Sequence, residues 1–109
     1  MRMWQVKLTT KGYLHLPAAL ARQYFPSDLL MAFSRGAEVW LLPLRGPGAG
    51  GLVLKQRNRA GDRSVLVAEL LPPGTSPGPR QSFWDERAGA LRVVLIARED
   101  PIDERARPA

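Results

Sequence analysis

The chain has 109 residues and a net charge of +6, with 16 lysine and arginine residues against 10 acidic ones. It contains no cysteine, which excludes a disulfide scaffold, a thiolate metal site and a cysteine nucleophile. The apolar runs are too short to span a bilayer, so we expect no membrane contact and a cytoplasmic location.

The first 45 residues predict a hairpin, a short helix and a second pair of strands. Alternation of apolar and polar residues predicts four strands, at 4–8, 13–16, 29–33 and 38–44. Gly12 ends the turn between the first two, because glycine tolerates positive φ. Pro17 suits the first turn of a helix over 18–25, since it has no N–H to leave unpaired.

The rest of the chain predicts further antiparallel strands after a glycine- and proline-rich linker at 46–51. Four strands are expected, at 51–56, 64–71, 82–85 and 91–97. A turn with Gly61 and Asp62 joins the first two, and a loop at 72–79 precedes the third. The tail at 99–109 mixes acids, arginines and prolines and is expected to be disordered.

The sequence indicates no catalytic or metal-binding chemistry. His15 is the only histidine, so no second histidine or cysteine can share a transition metal with it. No serine lies in a Gly-x-Ser-x-Gly pattern. We therefore expect no enzyme, no metal and no cofactor, and an enzyme acting through His15 ranks last among the hypotheses.

Basic residues are concentrated where few acids offset them, as is typical of nucleic-acid-binding domains. Residues 1–45 carry six basic side chains against two acidic, and residues 46–109 carry ten against eight. The second part holds a local cluster at Lys55, Arg57, Arg59 and Arg63. This cluster is either a phosphate-binding patch or a solvated hairpin tip. The tryptophans either stack nucleic-acid bases or, as we favour, fill a small core or a subunit interface, at Trp4, Trp40 and Trp84.

Residues 7–22 (KLTTKGYLHLPAALAR) resemble the AbrB/MraZ swapped-hairpin group of DNA-binding proteins. The likeness consists of a strand, a hinge at Gly12, a short strand, Leu16 followed by proline and a helix with an arginine; it extends over about residues 3–44. The resemblance implies that the hairpins of two subunits interleave in a homodimer or higher assembly. It also implies that basic side chains face duplex DNA, namely Arg2, Lys7, Lys11 and Arg22. The sequence departs from the group at Tyr13, where a basic residue is usual, and it carries the motif once where MraZ-type chains carry it twice.

The expected fold is mostly β with one short helix. A swapped-hairpin-like half barrel is predicted over 1–45 and an antiparallel β meander over 52–98. A segment of forty residues rarely buries a stable core alone, so a second copy is expected to cover the first hairpin.

We interpret the chain as a small cytoplasmic protein that binds duplex DNA as a homodimer, a transcriptional regulator or an antitoxin-like repressor. The alternative is a non-enzymatic interaction or assembly factor that docks a protein partner through 52–98 and has no role with nucleic acid. Alanine at Lys11 and Arg22 would separate the two, because only the DNA-binding interpretation predicts weaker duplex binding.

Overall fold

The computed structural model describes residues 1–46 and 51–96, which form a mostly β fold with one short helix, as expected. The strands are β1 Met3–Leu8, β2 Tyr13–Leu16, β3 Leu29–Arg35, β4 Glu38–Pro43, β5 Leu52–Val53, β6 Lys55–Gln56, β7 Arg63–Leu66, β8 Gly78–Asp85 and β9 Ala90–Val94. The helix is α1 Ala18–Tyr24, and a 3₁₀ turn follows β7 at Ala68–Leu70. The predicted tail at 99–109 lies outside the described residues.

The nine strands of the described residues join one antiparallel sheet that nearly closes into a barrel, in the order β5-β3-β4-β9-β8-β1-β2-β7-β6. The two outermost strands, β5 and β6, are consecutive in the chain and are separated by Leu54 alone. β5 pairs with β3 and β6 pairs with β7, so residues 52–56 connect the two ends of the sheet. Leu54 is buried, and its N–H donates to the Asp28 carbonyl at 2.9 Å.

Strands from both predicted modules pair with one another in this sheet. β1 pairs with β8 from Met3↔Phe83 to Leu8↔Gly78, β2 pairs with β7, and β4 pairs with β9. Strands from residues 1–45 and 52–96 therefore build a single sheet, and most of the linker between the two predicted modules, at 47–50, lies outside the described residues. The apolar face of the first hairpin is buried by this same chain, so its burial does not require a second copy.

The strand expected at 51–56 is two short strands, β5 and β6, and the strand expected at 91–97 ends at Val94. Two further expectations also differ from the structure. The strand expected over 64–71 ends at Leu66, because the chain there turns over Gly12. Gly12 has a φ of +89°, its carbonyl accepts the Val67 N–H at 2.9 Å, and a Cβ at Gly12 would lie 2.5 Å from that of Ala68. The loop expected over 72–79 ends early, because β8 starts at Gly78 and its first six residues pair with the whole of β1.

Helix α1 packs against one end of the barrel. Leu20 and Ala21 are buried, and Phe25, just after the helix, is 1 % exposed. Tyr24 stacks on Trp84 with ring centroids 4.4 Å apart and meets the edge of Trp4 at 6.3 Å. Both tryptophans therefore take part in packing, as favoured from the sequence.

Trp40 lies on the outer side of the sheet, because it alternates with the buried Val39 and Leu41. The guanidinium groups of Arg35 and Arg92 lie over its ring, 4.5 and 4.9 Å from the centroid. Its indole N–H donates to the Glu38 carboxylate at 2.8 Å. Its ring is thus engaged within the chain.

Candidate nucleic-acid interface

The outer side of β1, β2, β7 and β6 brings basic residues from both predicted clusters together. Lys7 lies directly across from His15, His15 from Ser64, and Ser64 from Lys55. Lys7 and His15 alternate with buried valine and leucine residues, so their side chains point away from the core. The row crosses three interstrand spacings, about 14 Å from Lys7 to Lys55.

The turn between β6 and β7 is held in one conformation by side-chain hydrogen bonds. The Arg57 N–H donates to the Asp62 carbonyl at 2.7 Å, which continues the β6–β7 pairing by one step. The amide oxygen of Asn58 accepts the N–H groups of Gly61 and Asp62, each at 3.1 Å. Gly61 has a φ of +95°, as predicted for this turn.

Asp62 connects this turn to the start of helix α1. Its Oδ1 accepts the Ala18 N–H at 2.9 Å, and its Oδ2 accepts the Asn58 side-chain amide at 3.0 Å. Pro17, the residue before the helix, contributes no side-chain cap of its own. Asp62 therefore acts as an N-cap supplied from a distant part of the chain, and it fixes Arg57 relative to β2.

A shallow cavity of about 640 Å³ lies where β1, β2 and this turn meet. Its polar wall consists of Gln5, Lys7, His15, Arg57 and Asp62. Cationic side chains thus enter the cavity from β1 and from the turn, with the imidazole on β2 between them.

Burial lowers the pKa of His15, and the positive charges of Arg57 and Lys7 lower it further, while Asp62 opposes the shift. The hydrogen bonds from Asn58 and from the Ala18 N–H lower the pKa of Asp62. At neutral pH, His15 is therefore mostly neutral and Asp62 is ionised. Both oxygens of Asp62 already accept hydrogen bonds, so this one carboxylate only partly offsets the surrounding cations.

Three more predicted residues border this surface. Lys11 is exposed in the turn between β1 and β2, and Arg59 is exposed in the turn between β6 and β7. Arg22, on α1, reaches the same turn, since its guanidinium lies 3.8 Å from where a Cβ of Gly61 would be. We call the basic face the surface formed by Lys7, Lys11, His15, Arg22, Lys55, Arg57 and Arg59.

Two predicted residues do not join the basic face. Arg63 lies across from the buried Leu16, and its Nε binds the Asp28 carboxylate at 2.9 Å. The alternation of β7 points the Arg63 side chain away from the outer side of the sheet. Its ion pair with Asp28 therefore stabilises the fold. Arg2 lies over the Trp4 ring at 3.9 Å, at the far end of β1. Neither residue therefore belongs to the basic face.

The remaining six predicted cations form no ion pair with any residue that the structure describes. The ion pairs within residues 1–46 and 51–96 join Arg63 to Asp28 and Arg92 to Glu38 and Asp85. From the sequence, His15 is considered as a metal ligand or a catalyst, whereas the structure places it at the centre of the basic face. The alternation on the first hairpin places it beside Lys7, but nothing local in the sequence places β7 and β6 next to β2.

Within residues 1–46 and 51–96, no three histidine, cysteine, aspartate or glutamate side chains are grouped to hold a metal ion. No helix in this part of the chain is long and apolar enough to cross a membrane. Comparisons with protein-family models, curated proteins and solved structures find no match to the chain. The likeness of residues 7–22 to swapped-hairpin proteins therefore rests on the sequence pattern alone.

Proposed function

We propose that the protein binds duplex DNA through the basic face. One observation carries this proposal: sheet pairing places Lys7 and Lys55 in one row on either side of His15, with Arg57 beside it. These cations form no ion pair with the described residues, so their charge is available to phosphates. Neutralisation of phosphates by lysine and arginine is the main source of affinity in such complexes.

The environment of the aromatic side chains favours a duplex over a single strand. Proteins that bind single strands offer exposed aromatic rings on which bases stack. Trp4 is buried, Trp84 stacks on Tyr24, and Trp40 lies under two guanidinium groups. Among the described strands of the basic face, Tyr13 is the one exposed aromatic residue, too little for a stacking platform.

The sequence pattern of residues 7–22 supports one form of this function. In that form the protein is a homodimer that acts in the cytoplasm as a transcriptional regulator or an antitoxin-like repressor. A two-fold symmetric pair would present two basic faces to one duplex. Size-exclusion chromatography with light scattering, with and without DNA, tests this part. A monomer in both conditions would contradict it.

A second candidate function, a protein-interaction or assembly factor, is favoured by a different surface. A cavity of about 480 Å³ lies between β3, β5 and the 3₁₀ turn, lined by Met31, Leu52, Leu66 and Leu70. Met31 is 42 % exposed and Leu66 is 48 % exposed, so two large apolar side chains that line one cavity are open to solvent.

Titration of a fluorescently labelled mixed-sequence duplex, followed by anisotropy at several salt concentrations, tests the proposed function. We expect binding that weakens steeply with salt. Absence of binding even at low salt would refute DNA binding and favour the second candidate.

A further inference from the structure

The cavity beside His15 has the charge and the hydrogen-bond donors of a binding site for one phosphoryl group. Lys7 and Arg57 contribute two positive charges, and Asp62 contributes one negative charge. With neutral His15 the wall carries +1, and with protonated His15 it carries +2. A phosphate monoester carries about −1.5 to −2 at neutral pH, so protonated His15 would make the charges match.

We infer that this cavity binds a phosphate monoester, with the Lys7 ammonium, the Arg57 guanidinium and the His15 imidazole as its donors. The inference rests on the proposed basic face and makes it more specific. Internal phosphates of a duplex are diesters with a single negative charge, whereas a monoester occurs at a phosphorylated strand end or in a small phosphorylated molecule.

The origin of the three donors in separate elements favours phosphate over a carboxylate. They come from three separate elements: β1, β2 and the turn after β6. A phosphate monoester has three terminal oxygens that accept hydrogen bonds from different directions, whereas a carboxylate has two oxygens in one plane. The cavity is also larger than one phosphate, which leaves room for the organic group attached to it.

Asp62 determines the side from which an anion would enter. Its two oxygens already accept hydrogen bonds from Ala18 and Asn58, so it stays fixed at the helix side of the cavity. The groups that face His15 are Lys7 on β1, Ser64 and Lys55 in the same row, and Arg57 and Asp62 in the turn. The anion would therefore lie towards Lys7, and a bound dianion would favour the protonated form of His15.

The single histidine makes the test direct, because its imidazole gives one isolated set of NMR signals. Inorganic phosphate is titrated into the intact protein, with sodium chloride at matched ionic strength as the control. We expect a saturable shift of the His15 signal and a rise in the pKa of His15, since a bound dianion favours the imidazolium. A phosphate response no larger than that to chloride would overturn the inference.

Two short probes separate a monoester from a diester. A dinucleotide with a 5′-phosphate carries both groups, and the same dinucleotide without it carries only the internal diester. We expect the first to shift the His15 signal at concentrations about tenfold lower than the second, the gain typical of stronger charge-assisted hydrogen bonds. Equal responses would overturn the monoester assignment.

Matched variants localise the site. Lys7→Gln and Arg57→Gln should each weaken the phosphate response about tenfold, whereas Lys11→Gln and Arg59→Gln remove the same charge outside the cavity and should leave it unchanged. All four side chains are exposed, so the variants should fold, which circular dichroism verifies. Equal losses of the phosphate response in all four variants would contradict a defined phosphate-binding site.

Failure of this inference and failure of the proposed function give different results. If the duplex binds but phosphate leaves the His15 signal unchanged, the phosphate-binding site alone is refuted. A phosphate response without any duplex binding would refute the proposed function. It would still support a phosphate-binding site, with a small phosphorylated molecule as its ligand. Tighter binding of a 5′-phosphorylated duplex than of its unphosphorylated form would identify a strand end as the source.

Discussion

Removal of two cations from the centre of the basic face should weaken the salt dependence of DNA binding in a calculable way. If Lys7, Lys11, Lys55 and Arg57 each contact one phosphate, the slope of log K against log salt should be about −3.6. Affinity would then fall about 150-fold between about 50 and 200 mM salt. The double variant Lys7→Ala/Arg57→Ala should have a slope of about −1.8 and lose only about 12-fold over that range.

A control with the same net charge separates local contacts from overall charge. Arg45→Ala/Arg87→Ala also lowers the net charge from +6 to +4. Arg45 follows β4 and Arg87 lies in the turn between β8 and β9, both exposed and outside the basic face. We expect this variant to retain a slope of about −3.6, because no phosphate contact is lost.

Fluorescence anisotropy of one labelled duplex, with wild type and both double variants at four or more salt concentrations, supplies the slopes. Two results would refute the reasoning. An unchanged slope in Lys7→Ala/Arg57→Ala would show that these side chains do not contact phosphates. Equal reductions in both double variants would show that binding responds to net charge rather than to the basic face.

Three further predictions concern stability. Gly12→Ala should cost at least about 3 kcal/mol in urea unfolding, because a Cβ would lie 2.5 Å from a neighbouring side chain at positive φ. Gly36→Ala, also at positive φ but with nothing within 4 Å, should cost about 1 kcal/mol, and similar losses for both would exclude the steric explanation. Burial and nearby cations lower the pKa of His15 below 6.5, so the folded state binds fewer protons than the unfolded state. The free energy of unfolding should therefore fall as pH drops through 6.5, and His15→Gln should flatten this step in pH-dependent melting. Glu38→Gln removes the negative charge from the 2.8 Å ion pair with Arg92 and should cost about 1 kcal/mol by chemical denaturation, while Glu86→Gln should cost nothing measurable.

Local patterns were sufficient to predict the first four strands and the helix. Alternation placed β1 and β2 to within one residue, and Pro17 and Gly12 marked the helix start and the tight turn. These features depend on neighbours in the chain, which a single sequence displays. The strand expected over 64–71 was wrong beyond Leu66, because its end depends on contact with a turn about fifty residues earlier.

The composition of the basic face depends on pairing that no local pattern encodes. The sequence predicts Lys7 and Arg57 in separate clusters, and only the order β1-β2-β7-β6 brings them to one cavity. Arg63 was grouped with Arg57 by proximity in the chain. The turn after β6 ends the alternation between them, so Arg63 faces Asp28 instead. Residue type predicts that the surface is basic, but the order of strands in the sheet determines which residues lie on it.

The turn from Arg57 to Asp62 serves the fold and the proposed site at once, which determines how the site can be tested. Asp62 caps helix α1 and also lines the cavity, so its replacement would change stability and ligand binding together. Lys7 and Arg57 are exposed and form no side-chain hydrogen bond or ion pair with any residue in 1–46 or 51–96, so their replacement should change binding with little effect on folding. A loss of binding in their variants therefore reports on the site itself, whereas a loss in an Asp62 variant would not separate the site from the fold.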